Sequence, residues 1–335
     1  MKKTGILMKP VALLWLVVVM MLAINAFCPP QSLAQLPPRF YWKSLSGGNA
    51  VPLIFESISG NTNPFDPAHT VRANADADIE ATMALVGYAR TFPLFNRAAF
   101  AAVIVPMGRI SGEVTVAGKS FKQSADGFGD PMLEFDINLI GPPAQMNIPD
   151  ILLYQPGFSV DLLVDLTLPV GEYDSDKQLN IGMNRWYGRI GMPIIWQLGP
   201  WVPGKRTTLE LLPSLWLYGD NNDFLGQTMK TDPKFQMDAH LTRDFTKSFW
   251  GSLDGVWIYG GKASINGVEG EKLNMVALGL TLGYQINDNL GLTVGYKSTI
   301  NDSAPQDLRM NMFMVSLVFG WHPVIEGMNR LKGGE

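Results

Sequence analysis

Cysteine is nearly absent from this 335-residue chain, because Cys28 is the only one. A disulfide within the chain and a cysteine-rich metal site are therefore excluded. The histidines His69, His240 and His322 do not have the spacing of metal ligands. Basic residues are few as well, since 26 Lys and Arg stand against 30 Asp and Glu. A nucleic-acid-binding chain would show a basic excess, so no nucleic-acid partner is expected.

Long apolar runs are also missing, except near the start of the chain. Lys2, Lys3 and Lys9 precede an apolar run over residues 11–27, and Ser32-Leu33-Ala34 fits a small-x-small cleavage site. This pattern predicts a secretory signal peptide over residues 1–34, because the run is short for a transmembrane anchor. After residue 35 no apolar run reaches the roughly 18 residues of a membrane helix. The exported chain is thus either soluble or a membrane β-barrel.

Alternation with a period of two dominates the remaining sequence. One face of residues 276–285 is apolar throughout, whereas the other carries Ala, Gly, Thr and Gln. Residues 290–297 repeat the pattern after the tight turn Asn287-Asp288-Asn289. These segments predict an antiparallel hairpin with one apolar face and one small or polar face.

The stretch FSVDLLVDLTLP at 158–169 shows the same period. Asp161 and Asp165 lie four residues apart, so they share the polar face of the strand with Leu163 between them. In an outer-membrane barrel this face lines the lumen and the apolar face contacts lipid.

Twelve strand candidates follow from alternation and turn residues. They cover residues 51–60, 78–92, 98–110, 130–141, 157–169, 185–198, 206–219, 234–244, 249–260, 272–285, 290–299 and 309–321. Long connections alternate with short ones, as in barrels with long outer loops and short periplasmic turns. The exception is the long segment 142–156, for which a small helix or a plug-like excursion is expected.

The predicted fold is all-β, a transmembrane antiparallel up-and-down barrel of about twelve strands. The strands are long for a soluble sandwich, and aromatic residues near strand ends resemble interfacial girdles; they include Tyr218, Trp250, Trp257, Tyr259, Tyr284, Tyr296 and Trp321. The predicted organisation is a signal peptide at 1–34, a periplasmic N-terminal segment at 35–50, the barrel at 51–321 and a C-terminal tail at 322–335.

Several motifs, in this order, carry a resemblance to a known family. They are ALVGYARTFPLFNRAA, GFGDP, LTLPVGEYD, NIGMNRW, SLWLYGDNNDFLG, TDPKFQMDAHLTRDF and GSLDGVWIYGGKASINGVEG. The chain resembles the outer-membrane family named for the meta-pathway of phenol degradation, from about Leu53 to Trp321. The resemblance implies an outer-membrane β-barrel of the transporter type in a diderm (Gram-negative) bacterium. It does not imply a degradation enzyme, because fold does not fix function.

Charged residues on the inward face are the candidate site. The alternation places these side chains in the lumen: Glu134, Asp136, Asp161, Asp165, Arg185, Arg189, Glu210, Asp238, His240, Asp254 and Lys297. They could select solutes as rings of charge, or brace the wall as ion pairs.

Two arginines lie on the strand that follows Asp161 and Asp165. Arg185 and Arg189 also have a spacing of four, so the two pairs are expected to face each other across neighbouring strands. In Asn184-Arg185-Trp186, the tryptophan is expected to face lipid and Arg185 the lumen.

Three functions remain open. The first is a channel for passive uptake of small aromatic or hydrophobic solutes, with the outer loops 61–77, 111–129 and 220–233 as gates. The second is a closed structural or adhesive barrel, and the third is a lipid-modifying barrel enzyme that uses His240. The channel is preferred, since His240 points inward and no serine nucleophile has suggestive spacing. No cofactor and no enzyme activity are expected; outer-membrane lipid, a small-molecule solute and the barrel-assembly machinery are the expected partners.

Overall fold

The computed structural model describes residues 37–61, 76–116, 119–300 and 309–332. The expected signal peptide at 1–34, most of loop 61–77 and most of connection 300–308 lie outside these residues. No helix in the described ranges combines the length and the apolar character needed to cross a membrane.

Eighteen strands and two short helices form the described part of the chain. The strands are β1 (Asn49–Gly60), β2 (Asp76–Leu94), β3 (Arg97–Val116), β4 (Lys119–Phe128), β5 (Met132–Ile140), β6 (Phe158–Thr167), β7 (Tyr187–Gly191), β8 (Ile194–Gln197), β9 (Thr207–Tyr218), β10 (Asn221–Phe224), β11 (Gln227–Thr231), β12 (Lys234–Asp244), β13 (Phe249–Gly260), β14 (Ala263–Ile265), β15 (Val268–Glu269), β16 (Leu273–Gln285), β17 (Leu290–Thr299) and β18 (Met310–Trp321). The helices are α1 (Ile148–Leu153), which follows β5, and α2 (Pro323–Lys332), which follows β18.

The main sheet closes on itself as an antiparallel barrel. It contains fourteen strands, of which β7 and β8 share one position and β4 pairs only with β3, which leaves twelve positions. The ring closes where β1 pairs with β18 along its whole length, from Asn49 opposite Trp321 to Gly60 opposite Met310. Closure leaves the ring without an unpaired edge, as a membrane requires.

The two faces of the wall follow the alternation of the sequence. In β12 the side chains at every second position from Lys234 to Asp244 are buried. On β16, Leu278, Leu280 and Leu282 point outward and are 51–60% exposed. Exposed apolar side chains on the outer face of a barrel are suited to contact with lipid.

Some predicted boundaries were wrong. The strand expected at 185–198 is two strands, because Pro193 has no N–H for the ladder and separates β7 from β8. Connection 111–129 is largely a hairpin, in which β3 continues to Val116 and pairs with β4. Connections 220–233 and 261–271 together form a four-stranded sheet, β10-β11-β14-β15. Three of these pairings are local hairpins, whereas the pairing of β11 with β14 joins the two connections and could not be seen from local turn composition.

Segment 142–156 contains the short helix α1. Asn147 caps it, since its side chain accepts a hydrogen bond from Asp150 N and the Asp150 carboxylate accepts from Asn147 N. The C-terminal tail forms α2 over most of its length.

Candidate functional site

Every inward candidate from the sequence is buried, with at most 7% of its surface exposed. Most lie on six successive wall positions, β5, β6, β7, β9, β12 and β13. We call these side chains the charged half of the lumen: Glu134, Asp136, Asp161, Asp165, Arg189, Glu210, Asp238, His240 and Asp254. Lys297 lies apart on β17, and Arg185 precedes β7.

One of the two expected cross-strand pairs forms. Arg189 lies opposite Asp165 in the register of β6 and β7, and its Nε donates to Asp165 Oδ2 at 2.6 Å. Asp161 and Arg185 do not pair. The two strands are antiparallel, so the residue four positions before Asp165 and the residue four positions before Arg189 lie on opposite sides of the Asp165–Arg189 pair. Arg185 instead donates to Thr231 Oγ1 at 2.7 Å and lies over the Tyr218 ring.

An N-terminal segment that we define as residues 37–48 occupies part of the lumen. These residues belong to segment 35–50, for which a periplasmic location is predicted, and they contact the inward side chains Asp136, Asp161 and Glu210. The ammonium group of Lys43 pairs with Asp161 and lies 3.1 Å from Asp136 Oδ1. Two buried carboxylates attract a cation strongly, which draws this segment into the barrel.

Arg39 fixes the other end of the N-terminal segment. Its Nη1 donates to Asp244 Oδ1 at 2.7 Å, and its backbone N donates to Glu210 Oε2 at 2.8 Å. The guanidinium also lies over the rings of Trp42 and Trp250. Arg39 and Lys43 are not among the residues predicted from the sequence. The signal was present, because the two cations have the same spacing of four as Asp161 and Asp165, and the inward acids outnumber the inward bases.

Asp254 is the centre of a polar cluster on β12, β13 and β16. His240 Nδ1 lies 2.6 Å from Asp254 Oδ1, and Ser252 Oγ donates to the same oxygen at 2.6 Å. Thr281 Oγ1 donates to the other carboxylate oxygen. The serine is therefore bound to the acid and does not lie on the histidine, unlike the nucleophile of a catalytic triad.

The opposite wall of the lumen is mostly apolar, although two buried charged side chains lie within it: Glu56 on β1, opposite Met314, and Lys297 on β17, opposite Met312. We call it the apolar half, and it consists of inward side chains on β1, β2, β16 and β18: Ile54, Ile58, Ile79, Ala81, Met83, Met275, Ala277, Met310, Met312 and Met314. The three methionines of β18 alternate with outward residues and are each 1% exposed. The division into a charged and an apolar half depends on which strands lie side by side, so it is not visible along the chain.

An outer segment, residues 168–186, packs onto the apolar half from the extracellular end. Leu179 and Ile181 join the cluster of Ile58, Ile79 and Ile110. Asp130 pins this segment, because its carboxylate accepts hydrogen bonds from Gly171 N at 2.8 Å and Met183 N at 2.7 Å. Burial raises the pKa of Asp130, although these backbone donors oppose the shift.

The outer segment 168–186 is thus a different part of the chain from the three connections that were predicted to act as gates. Connections 111–129 and 220–233 contain paired strands, and most of 61–77 lies outside the described residues.

A cavity of about 800 Å³ opens at the end of the lumen that carries the short turns 245–248 and 286–289, the end that faces the periplasm in outer-membrane barrels. Its lining includes the aromatic side chains Phe40, Trp42, Phe100, Trp201 and Trp250. We call it the periplasmic cavity. Two aromatic residues predicted for the lipid interface belong to the interior instead, since Trp250 contacts Arg39 and Tyr218 contacts Arg185. Trp186 is 54% exposed on the outside, next to the buried Arg185.

No group of three or more side chains that could hold a metal ion occurs within the ranges that the structure describes.

Comparison with known proteins places these features in context. The family model described as "Putative MetA-pathway of phenol degradation" matches residues 57–316. The fold is similar to the COG4313 outer membrane channel from Pseudomonas putida F1, with a TM-score of 0.67 and 16% identity, over 86% of this chain and 100% of that one. The translocator domain of autotransporter NalP from Neisseria meningitidis gives a TM-score of 0.48 and 12% identity, over 92% and 96% of the two chains. Among curated proteins no sequence matches significantly.

Proposed function

The chain belongs to the family described as "Putative MetA-pathway of phenol degradation", and on this premise we propose that it is a channel for passive uptake of small apolar solutes, aromatic ones among them. It is a closed antiparallel barrel of the outer membrane of Gram-negative bacteria. The observation that carries the proposal is the apolar half of the lumen, which extends from the outer segment to the aromatic-lined periplasmic cavity.

The route follows the apolar half. A solute that displaces Leu179 and Ile181 meets Met83, Met312 and Met314 before it reaches the cavity. Methionine is unbranched and has three rotatable side-chain bonds, so these side chains can move aside with little cost. Apolar solutes gain from leaving water along such a wall, whereas ions do not.

The charged half has a different task in this proposal. Asp165 pairs with Arg189 and Asp254 pairs with His240, and other acids hold the N-terminal segment. These contacts keep one side of the lumen rigid while the other side yields. In this proposal the charged side chains of the lumen brace the wall and do not act as a ring that selects solutes. Outer-membrane lipid and the small apolar solute are the partners of the folded chain, and the barrel-assembly machinery is its partner during biogenesis. The function needs no cofactor.

Uptake by intact cells tests the proposal. Gram-negative cells that express the chain, and whose outer membrane otherwise limits entry, would be given radiolabelled toluene. We expect a higher initial rate of uptake than in cells without the chain, and we expect Met314→Trp to remove the increase because it fills the route. A matched Met146→Trp variant changes an exposed methionine outside the barrel strands and keeps the increase. No increase with a correctly folded wild-type barrel would contradict the proposal.

The packed lumen favours a second candidate, a closed structural barrel. The N-terminal segment, the ion pairs and the outer segment each occupy part of the interior. The uptake experiment separates the two functions, since a structural barrel gives no increase in rate.

A lipid-modifying enzyme has less support. His240 is buried inside the wall, bound to Asp254, and lies away from the lipid-facing surface. We infer that the chain is not an enzyme. Phospholipid hydrolysis by the purified wild-type protein that His240→Ala abolished would overturn this inference.

A further inference from the structure

Ser316 on β18 is a buried hydroxyl at the edge of the periplasmic cavity. Its side chain lines the cavity and the residue is 1% exposed. Its Oγ has no hydrogen-bond partner among the described residues. A buried hydroxyl without a partner costs free energy, and native proteins rarely leave one so. Because Ser316 lines a cavity, a molecule in the cavity can supply the partner.

Thr293 on β17 lies directly opposite Ser316 in the register of the two strands and lines the same cavity. The two residues place hydroxyl groups on neighbouring strands. Of the cavity-lining residues on β18, Ser316 lies furthest from the periplasmic end of the strand. We therefore call this region, formed by Pro52, Ile104, Thr293, Ser316 and Val318, the inner end of the cavity.

The surroundings of these hydroxyls are apolar. Pro52, Ile104 and Val318 line the inner end, and Ile54 lies opposite Ser316 in the register of β1 and β18. The next inward residue on β18 is Met314, which packs with Ile54 and Met312. A molecule at the inner end would thus have an apolar body in apolar contacts and one polar atom at Ser316.

None of the side chains that line the inner end is charged. The charged residues that line the cavity lie on the N-terminal segment, on periplasmic turns, just before β9 and on α2; they are Arg39, Lys43, Arg206, Lys247, Asp288 and Glu326. The buried acid Glu56 is the next inward residue after Ile54 on β1 and lies opposite Met314, so an anion at the inner end would meet a like charge and would also lose its hydration. This argues for a neutral ligand and against a carboxylate.

We propose that Ser316 and Thr293 form a solute-binding site at the inner end of the periplasmic cavity, which takes a small neutral apolar molecule with one hydroxyl group. The hydroxyl exchanges hydrogen bonds with the two side chains, and the apolar body rests beneath Met314. The inference rests on the proposed function and defines the class of solute that pauses on the route.

Calorimetric titration of the purified full chain in detergent tests the site with near-isosteric probes. These are p-cresol, with one hydroxyl, toluene, with none, and p-toluate, with a carboxylate. The ratio of the p-cresol and toluene dissociation constants is compared between wild type and variants in the same micelles, so that partition into detergent cancels. Heat-modifiable gel mobility confirms that each variant is a folded barrel.

Ser316→Ala is expected to reduce the preference for p-cresol over toluene by about fivefold, the equivalent of about 1 kcal/mol for one hydrogen bond, with toluene binding unchanged. Thr293→Val is expected to act in the same direction, and Ser316→Thr, which keeps a hydroxyl, is expected to retain the preference. Ser248→Ala removes a hydroxyl from the lining at a periplasmic turn and serves as the matched control.

An unchanged preference in Ser316→Ala overturns the site, as does p-toluate binding that is as tight as p-cresol binding and depends on Ser316. The cell uptake experiment separates failure of this binding site from failure of the proposed channel function. If uptake occurs but the preference does not depend on Ser316, this inference fails alone. If the preference depends on Ser316 but no uptake occurs, the channel function fails and the site stands.

Discussion

Arg189 on β7 contacts one carboxylate on the adjacent strand β6 and lies near a second on β5, the strand beyond it. Its Nε donates to Asp165 Oδ2 at 2.6 Å, and its Nη2 lies 4.0 Å from Glu134 Oε2. Glu134 lies opposite Asp165 in the register of β5 and β6. A single guanidinium thus compensates two acids that would otherwise repel each other inside the wall.

Arg189→Gln should destabilise the barrel more than Asp165→Asn does. Removal of the cation leaves two buried carboxylates without compensation, at a cost of about 3–5 kcal/mol, whereas removal of one acid relieves part of the repulsion. The temperature at which the barrel loses its folded gel mobility measures the order. Lys122→Gln, in an ion pair with Glu113 on the exposed hairpin, should leave this temperature unchanged. An equal or smaller loss for Arg189→Gln would contradict the account.

Lys43→Met should increase ion conductance through the purified barrel in a planar bilayer. The change removes the cation that holds the N-terminal segment to Asp136 and Asp161, and it leaves both acids exposed to any water that enters. Lys177→Met breaks only an ion pair with Asp174 on the outer segment and is the control. Single-channel conductance equal to that of the wild type would show that the N-terminal segment stays in place without this pair.

Gly279→Ala should destabilise the barrel, although the added group is one methyl. A Cβ at this position would overlap Lys297 Cγ and approach Tyr296 O to 2.5 Å, so the wall would have to shift. Overpacking of this kind costs about 1–3 kcal/mol. Gly255→Ala is the control, because its nearest contact would be Leu278 Cδ2 at 3.7 Å. Thermal loss of folded gel mobility compares the two variants, and equal midpoints would argue against a close approach at Gly279.

The double change Leu179→Ala/Ile181→Ala should release the outer segment from the apolar half. Loss of buried apolar side chains costs about 2–5 kcal/mol for each residue, which is enough to open a local segment without unfolding the barrel. Limited proteolysis should then cut within residues 168–186 faster than in the wild type. Val170→Ala changes an exposed side chain of the same segment and should not alter the rate. If the double variant resists cleavage as the wild type does, Asp130 alone holds the segment.

Local patterns in the sequence determined the barrel and the two faces of its wall. The period of two in segments such as 158–169 decides which side chains point inward, because successive side chains of a strand alternate. For the same reason the inward positions of Asp161, Asp165 and Lys297 could be read along the chain. The motif order supported the family.

Only the tertiary structure decided which inward side chains meet. The pairing of Arg189 with Asp165, and the separation of Arg185 from Asp161, depend on register and antiparallel direction. The insertion of Arg39 and Lys43, the entry of Leu179 and Ile181, and the division of the lumen into a charged and an apolar half arise between residues far apart in sequence. A closed barrel brings such residues into one small volume, and the cost of burying charge without a partner then selects the contacts.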